Sequence, residues 1–363
     1  MHRTALKLLC VWLSLCLFAP SRALSAARGD EPPRFEVPAP GAGAPLVFVV
    51  YGDTRFSRRD DVVNAPARRA LVGRIARENP AAILIGGDLV YEGSNPQDYD
   101  TYKSETIEWA RRKIPVFPAL GNHEFNGCNG DAAACLENWW TAFGALPLRP
   151  YRWYSVSIGS TLLAVVLDSD RALKPGSEQR EWLERQISDA DPRVKFILIL
   201  LHYPPVRDPF YPRMRDEKEI ARYLSRNAGA LRARVVVVGS HVHNYERYDR
   251  DGVTYLVSGG GGAAPVPAVR MFGELSRLTT AVNFHYLRFT LDAERLTGTM
   301  VRFDAADRSG NPWTEPDRFE IRAKSSLAAA PAPAGRRMQR RRPWFADQAG
   351  IRMPRSAASK ASS

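Results

Sequence analysis

The chain has 363 residues, of which 45% are hydrophobic and 25% are charged. This composition argues against a disordered or a membrane-embedded protein, and the length suits one large α/β domain or two ordinary ones. The net charge of +12 is concentrated at the two ends. Residues 1–26 contribute three positive charges, and residues 323–363 contribute nine against one acid, so +1 remains for the rest. The main part of the chain is therefore not predicted to bind nucleic acid specifically.

The N-terminus is predicted to be a signal peptide, residues 1–26. Basic Arg3 and Lys7 precede an apolar run over 8–19, and small residues follow around 21–27. This order is typical of a secretory leader, and the apolar run is shorter than the ~20 residues of a spanning helix. We therefore expect a mature protein without a transmembrane anchor that is exported, and is periplasmic or secreted.

Three further segments are predicted after the leader. Residues 27–43 are rich in Pro and Gly and predict a linker, residues 44–322 predict one globular domain, and residues 323–363 predict a disordered basic tail. The tail could contact polyanions, although a solvated appendage is the simpler interpretation. Cys128 and Cys135 would be the cysteine pair of the exported protein, which favours a disulfide over two free thiols.

Short aliphatic runs and amphipathic stretches alternate within the domain. The runs predict strands over 46–50, 81–85, 116–120, 194–201 and 235–238. The amphipathic stretches predict helices over 67–78, 98–112, 177–190 and 216–228. Further strands, predicted over 153–158, 162–167, 254–258, 286–291 and 297–303, have no helix between successive members. Antiparallel pairing and a second sheet packed on the first are therefore expected.

Each of the five aliphatic runs named first is followed by a polar cluster whose side chains can bind metals. The clusters are Gly52-Asp53, Gly87-Asp88 with Tyr91, Gly121-Asn122-His123-Glu124, His202, and His241 with His243. Loops at the carboxyl edge of an α/β sheet converge on one crevice although they are distant in sequence. Four of the five histidines outside the leader fall in these clusters. The sequence therefore predicts one metal-binding crevice.

The motifs resemble those of the calcineurin-like metallophosphoesterase family, and its purple acid phosphatase branch in particular. They are GDT at 52–54, GDLVY at 87–91, GNHE at 121–124, LLHYPP at 200–205 and SHVHNYER at 240–247. Five ordered motifs are a specific signal, whereas one alone would be weak. The resemblance covers nearly all of residues 44–303. It implies an α/β fold: a four-layer α/β/β/α sandwich of two mixed β-sheets flanked by helices.

The resemblance also implies two metal ions. One would be held by Asp53, Asp88, Tyr91 and His243, and the other by Asp88, Asn122, His202 and His241, with Asp88 bridging. A tyrosinate beside two carboxylates suits Fe(III), and two imidazoles with an amide oxygen suit a divalent ion such as Zn, Fe or Mn. We predict direct attack of a metal-bound hydroxide on a small-molecule phosphate ester, without a phosphoenzyme intermediate.

Three residues outside the ligand set complete the predicted site. His123 is the candidate catalytic proton donor, and Arg55 and Tyr245 are candidate substrate-binding residues. Arg55 is equally compatible with a salt bridge at the rim. The predicted function is an exported phosphomonoesterase of acid phosphatase type. The alternatives are a phosphodiesterase or nucleotidase that uses the same metals, and a non-catalytic binding protein of the cell envelope.

Overall fold

The computed structural model describes residues 31–41, 44–59, 61–208, 216–266, 276–278 and 284–325. The predicted signal peptide and residues 326–363 of the predicted tail lie outside these ranges, so both stay predictions. No helix within the described ranges is long and apolar enough to cross a bilayer.

Fourteen strands are formed by the described residues. In chain order they are β1 (Arg34–Val37), β2 (Leu46–Tyr51), β3 (Ala82–Ile85), β4 (Val116–Pro118), β5 (Tyr154–Ile158), β6 (Leu162–Val166), β7 (Phe196–Leu200), β8 (Arg234–Gly239), β9 (Tyr245–Arg250), β10 (Val253–Ser258), β11 (Ser276–Leu278), β12 (Phe284–Leu291), β13 (Arg295–Phe303) and β14 (Trp313–Arg322). The larger sheet has the order β1-β5-β6-β7-β8-β10-β9-β11, and the smaller has the order β14-β13-β12-β2-β3-β4. Both sheets mix parallel and antiparallel pairs.

Six α-helices formed by the described residues flank the sheets. They are α1 (Ala65–Glu78), α2 (Pro96–Glu105), α3 (Ile107–Arg111), α4 (Ala132–Ala142), α5 (Glu178–Ser188) and α6 (Glu217–Asn227). The start of α1 is fixed by Asn64, whose side-chain oxygen accepts a hydrogen bond from the Ala67 N–H at 2.9 Å. Such a cap satisfies one of the backbone donors that a helix leaves unpaired at its N-terminus.

Side-chain alternation in the larger sheet builds two apolar layers. Val236 and Val238 on β8 belong to the core shared with the smaller sheet, while Val235 and Val237 belong to a second core with Trp182 of α5. Successive residues of a strand point to opposite faces, so a strand buried on both faces is apolar throughout. Helix, sheet, sheet and helix thus form four layers, as predicted.

The predicted helix over 98–112 is wrong in one respect, because it is divided into α2 and α3 at Thr106. The Thr106 hydroxyl donates to the Tyr102 carbonyl oxygen at 2.7 Å, and this back-bonding bends a helix. The helix resumes so that Trp109 is buried and its indole donates to the Val72 carbonyl at 3.1 Å.

The predicted linker over 27–43 also differs from the structure. Residues 34–37 form β1, which pairs in parallel with β5, and Phe35 and Val37 of this strand are buried. Alternation of these apolar residues with Arg34 and Glu36 is the period of a half-buried strand. The predicted disulfide is present between Cys128 and Cys135, whose Cα atoms are 6.1 Å apart.

The five aliphatic runs were expected to share one sheet, and they are divided between the two. β2, β3 and β4 lie in the smaller sheet, and β7 and β8 lie in the larger. Both sheets contain parallel strands, whose carboxyl ends meet at one edge. The predicted crevice therefore forms between two sheets rather than at the edge of one.

Candidate metal centre

Loops from both sheets bring six predicted ligands together. Asp53 follows β2, Asp88 follows β3 and Asn122 follows β4. His202 follows β7, and His241 and His243 follow β8. The contacts between these side chains divide into two groups that share Asp88.

The first group surrounds the Nε2 atom of His202. This atom lies 3.2 Å from Asp88 Oδ1, 3.1 Å from Asn122 Oδ1 and 3.2 Å from His241 Nδ1. The other ring nitrogen of His202, Nδ1, lies 2.9 Å from the Gly86 carbonyl oxygen. A proton held on Nδ1 by this carbonyl leaves Nε2 as a lone-pair donor, which is the arrangement of metal-binding imidazoles.

The second group joins Asp53, Asp88 and His243. Asp53 Oδ1 and His243 Nε2 are 3.5 Å apart, and both atoms are buried without a hydrogen-bond partner among the described residues. His243 Nδ1 faces the Ala264 carbonyl oxygen at 2.8 Å. Buried polar atoms are normally paired, so this orphaned carboxylate oxygen and imidazole nitrogen fit a cation between them.

The charge states of the cluster suit cation binding. Burial alone would raise the pKa of Asp88, but His202, His123 and Arg55 outweigh it and hold the pKa well below its ordinary value. Burial and the neighbouring His202 lower the pKa of His241 to about 4. The cluster therefore offers an ionised carboxylate and a neutral imidazole near neutral pH, which are the forms that bind metals.

Three candidate ligands have backbone conformations that non-glycine residues rarely adopt. The φ angles of Asp53, Asp88 and His241 are 56°, 51° and 66°. The conformation is supported by hydrogen bonds, because the His241 N–H donates to Asp53 Oδ2 at 2.8 Å and the His123 N–H donates to Asp88 Oδ1 at 2.9 Å. Strained residues held in this way cluster at functional sites, where they fix the direction of a side chain.

Glycine makes room for the bridging carboxylate. A Cβ atom at Gly121 would lie 2.4 Å from Asp88 Oδ1, and one at Gly87 would lie 2.8 Å from His202 Nδ1. Gly87 also has a φ of 87°. The glycines before Asp88 and Asn122 are therefore needed for close approach of the backbone to these side chains as well as for the turn.

Two comparisons of sequence bear on this centre. The sequence model of the calcineurin-like phosphoesterase family matches residues 46–245, which is more than half of the chain. The chain belongs to this family. It is 22% identical over 264 residues to probable purple acid phosphatase 20 of Arabidopsis thaliana, covering 67% of this chain and 60% of that protein. The chain thus spans about half to three fifths of the curated relatives it matches.

Solved structures support the same fold for this calcineurin-like phosphoesterase. The purple acid phosphatase PPD1 from yellow lupin (Lupinus luteus) seeds superposes with a TM-score of 0.63 at 20% identity, covering 79% of this chain and 55% of that chain. A dimetal phosphatase from Danio rerio gives 0.54 at 15% identity, covering 77% and 99%. The predicted sandwich and the resemblance to the purple acid phosphatase branch are confirmed.

His123 and Tyr91 of the calcineurin-like phosphoesterase lie beside each other, and His123 contacts the centre through Asp88. Their rings are 5.3 Å apart, and His123 Nδ1 lies 2.6 Å from the Tyr91 carbonyl oxygen. His123 Nε2 lies 3.9 Å from Asp88 Oδ2, and the Arg59 guanidinium covers the Tyr91 ring at 5.3 Å. Both residues are partly exposed, so they border the site from the solvent side.

The two residues predicted to bind substrate, Arg55 and Tyr245, lie in different environments. Arg55 Nη2 lies 3.2 Å from Asp88 Oδ2, and the side chain is 15% exposed, so the guanidinium is at the centre. Tyr245 is fully buried, and its hydroxyl donates to Asp317 at 2.8 Å. The prediction that Tyr245 contacts substrate is therefore wrong, because the side chain points into the space between the sheets and has no accessible atoms.

Two further residues of the phosphoesterase, Glu124 and Tyr203, contact the loops or side chains of the centre. Glu124 accepts backbone N–H groups of Asp88, Leu89 and Gly121 at 2.9, 2.7 and 2.6 Å. Sequence analysis missed Tyr203, whose ring packs edge-on against His241 at a centroid distance of 4.7 Å. Its place next to His202 in the LLHYPP motif was the available signal.

Proposed function

We propose that the chain is an exported phosphoric ester hydrolase that uses two cations and prefers phosphomonoesters, as acid phosphatases do. The observation that carries the proposal is the pair of ligand groups that share Asp88. Membership of the calcineurin-like phosphoesterase family and the names of the purple acid phosphatase relatives support the reaction class.

The residues divide between the cations as the motifs imply. Asp53, Asp88, Tyr91 and His243 would hold one ion, and Asp88, Asn122, His202 and His241 would hold the other. The first set, with a phenolate and two carboxylates, suits Fe(III), and the second suits Zn, Fe or Mn in the divalent state. When bound, such ions supply Lewis acidity that neutralises phosphoryl oxygens and makes water a stronger acid.

Two side chains would act on the substrate directly. His123 presents Nε2 towards Asp88, while its Nδ1 is tied to the Tyr91 carbonyl at 2.6 Å. With Nδ1–H donating to that carbonyl, Nε2 carries a proton in the imidazolium form, and this proton would pass to the leaving oxygen of the ester, because an alkoxide leaves poorly without one. The Arg55 guanidinium would exchange part of its contact with Asp88 for a phosphoryl oxygen, for which its planar donors are suited.

The test uses the purified full chain with p-nitrophenyl phosphate and with bis(p-nitrophenyl) phosphate, together with elemental analysis of bound metal. We expect two metal ions per chain and faster hydrolysis of the monoester. Asp88→Asn should lose metal and activity together, whereas the matched change of a remote, partly exposed carboxylate, Asp191→Asn, should change neither. Faster hydrolysis of the diester would favour a phosphodiesterase, and full activity of Asp88→Asn would refute the metal mechanism.

A further inference from the structure

A cleft of about 390 Å³ opens beside the metal centre. Residues that line it include Asn122, Phe125, Cys128, Arg152, Arg171 and Tyr203. Asn122 and Tyr203 belong to the wall next to the metal centre, since one is a candidate ligand and the other packs on His241. A volume of this size falls within the range of small-molecule sites. A phosphate held at the centre would therefore have this cleft available for its alcohol part.

Arg152 is a fixed part of the cleft wall. Its guanidinium carbon lies 4.7 Å from the centroid of the Phe125 ring, and its Nε forms an ion pair with the buried carboxylate of Asp168. The side chain is 11% exposed. The charge of Arg152 is thus balanced on the buried side by Asp168, and its packing on an aromatic face restricts its movement.

Arg171 is the more available cation. The residue is exposed, and no ion pair joins it to any residue in the part of the chain that the structure describes. The carboxylate that also lines the cleft, Asp170, accepts a hydrogen bond from the Tyr203 hydroxyl at 3.4 Å. Asp170 is therefore engaged at the wall next to the histidines, while the Arg171 guanidinium remains free to bind a ligand.

We infer that the cleft is a leaving-group subsite in which Arg171 selects phosphate esters whose alcohol part carries a second anionic group. The inference rests on the proposed function, because it assumes that the ester phosphate lies at the metal centre. A guanidinium binds carboxylates and phosphates through two parallel hydrogen bonds. A neutral alcohol part offers Arg171 no such partner, so the subsite discriminates between esters that differ only in this charge.

The test compares two pairs of esters that differ in one anionic group. The short pair is glycerol 3-phosphate and 3-phosphoglycerate, and the long pair is sorbitol 6-phosphate and 6-phosphogluconate. We expect wild type to prefer the carboxylate member of at least one pair in kcat/KM by roughly five- to tenfold, as expected for a charge-assisted contact at a partly exposed site. Arg171→Ala should bring that ratio close to one, and Arg171→Glu should invert it.

Arg111→Ala is the matched control, because Arg111 is an exposed arginine on α3 that is absent from the cleft lining. It should keep the wild-type ratio. The inference would be overturned if, for both pairs, the ratio of kcat/KM between the two esters were the same in wild type and Arg171→Ala. The proposed function would be unaffected by this result, because both proteins would still hydrolyse the esters. If wild type hydrolyses none of the four esters, the p-nitrophenyl phosphate assay alone decides the proposed function. Calorimetric titration of the same esters then decides the inference, and equal affinity within both pairs overturns it.

Discussion

His123 is held at the metal centre by its backbone as well as by its ring. Its N–H donates to Asp88 Oδ1 at 2.9 Å, so a side-chain substitution preserves this contact. If His123 donates the proton to the leaving oxygen, His123→Ala should slow hydrolysis of an alkyl phosphate by about 10²-fold or more. p-Nitrophenolate leaves without protonation, so its ester should be affected much less. Steady-state rates on glycerol 3-phosphate and p-nitrophenyl phosphate measure the difference; equal losses on both would assign His123 a role in binding only.

Binding of the Tyr91 phenolate to the proposed Fe(III) would give the protein a visible absorption band. A phenolate bound to Fe(III) absorbs visible light through charge transfer, and Tyr91 is the phenolate donor implied for the site with Asp53 and His243. Tyr91→Phe should therefore remove the visible band and lower the iron content, while His202 and Asn122 keep the second set intact. The absorption spectrum and elemental analysis are the measurements. A colourless, iron-free wild type with full activity would contradict this assignment.

The sequence predicted which candidate ligands lie together, but it did not predict the direction of a neighbouring side chain. Asp53, Asp88 and His202 were predicted from motifs because metal chemistry restricts the donor atoms to few residue types. Tyr245 was misassigned because it is two residues from His243 in the same motif. In a strand, residues alternate between faces, and the sequence does not state which face is accessible.

At the scale of elements, Asp317 of β14 joins the smaller sheet to β9 of the larger sheet. Its carboxylate accepts hydrogen bonds from the Tyr245 hydroxyl and from Arg247 Nε, both at 2.8 Å. β9 begins two residues after His243, so this contact fixes the end of the ligand loop. Asp317→Asn should lower the free energy of unfolding by about 2 kcal/mol, because it weakens a buried charge-assisted pair.

Asp249 provides the matched control for Asp317. Its carboxylate pairs with the same Arg247 at 2.9 Å but is 61% exposed. Asp249→Asn should therefore cost less than about 1 kcal/mol. Urea denaturation followed by circular dichroism measures both variants, and metal content reports on the loop. Equal destabilisation by the two substitutions would show that Asp317 has no special role in joining the sheets.

Ten of the strands were predicted from the sequence, whereas β1, β9, β11 and β14 were not. β9 has the sequence YERYDR, and its first four residues are buried although two of them are charged. Burial is possible because Glu246 accepts the Tyr248 hydroxyl at 2.6 Å and Arg247 pairs with Asp317. Asp317 is 70 residues from Arg247 in the sequence, so a local pattern of hydrophobicity gives no sign of this partner. The division of the parallel strands between two sheets likewise depends on the long-range pairing of β2 with β12.

At the scale of the molecule, Asp168 couples stability to pH. Burial raises its pKa to about 6 despite the neighbouring Arg152. The folded state then binds more protons than the unfolded state between about pH 4 and pH 6, so the free energy of unfolding falls as pH rises through this window, by at most about 3 kcal/mol. Asp168→Asn should remove this contribution. Urea denaturation at pH 4, 5 and 6 should show a less negative slope for the variant than for wild type; identical slopes would contradict the raised pKa.

The candidate metal centre also lies between the two sheets, because its candidate ligands come from loops of both. Asp53, Asp88 and Asn122 extend from the smaller sheet, and His202, His241 and His243 extend from the larger. Ions that bind only the folded state stabilise it by mass action, by about 4 kcal/mol at a thousandfold excess over the dissociation constant. Removal of the ions by a chelator should therefore lower Tm by roughly 5 °C or more.

Differential scanning calorimetry with and without chelator, on protein of known metal content, measures this shift. Asp88→Asn removes the carboxylate that both ligand groups share, so its Tm should lie near that of stripped wild type and should not respond to chelator. Addition of the divalent ion back to stripped wild type should restore part of Tm, since His202, His241 and Asn122 form one complete group with Asp88. An unchanged Tm after complete removal of metal would mean that hydrogen bonds such as those of Glu124 hold the loops without ions, and that the ions contribute to chemistry alone.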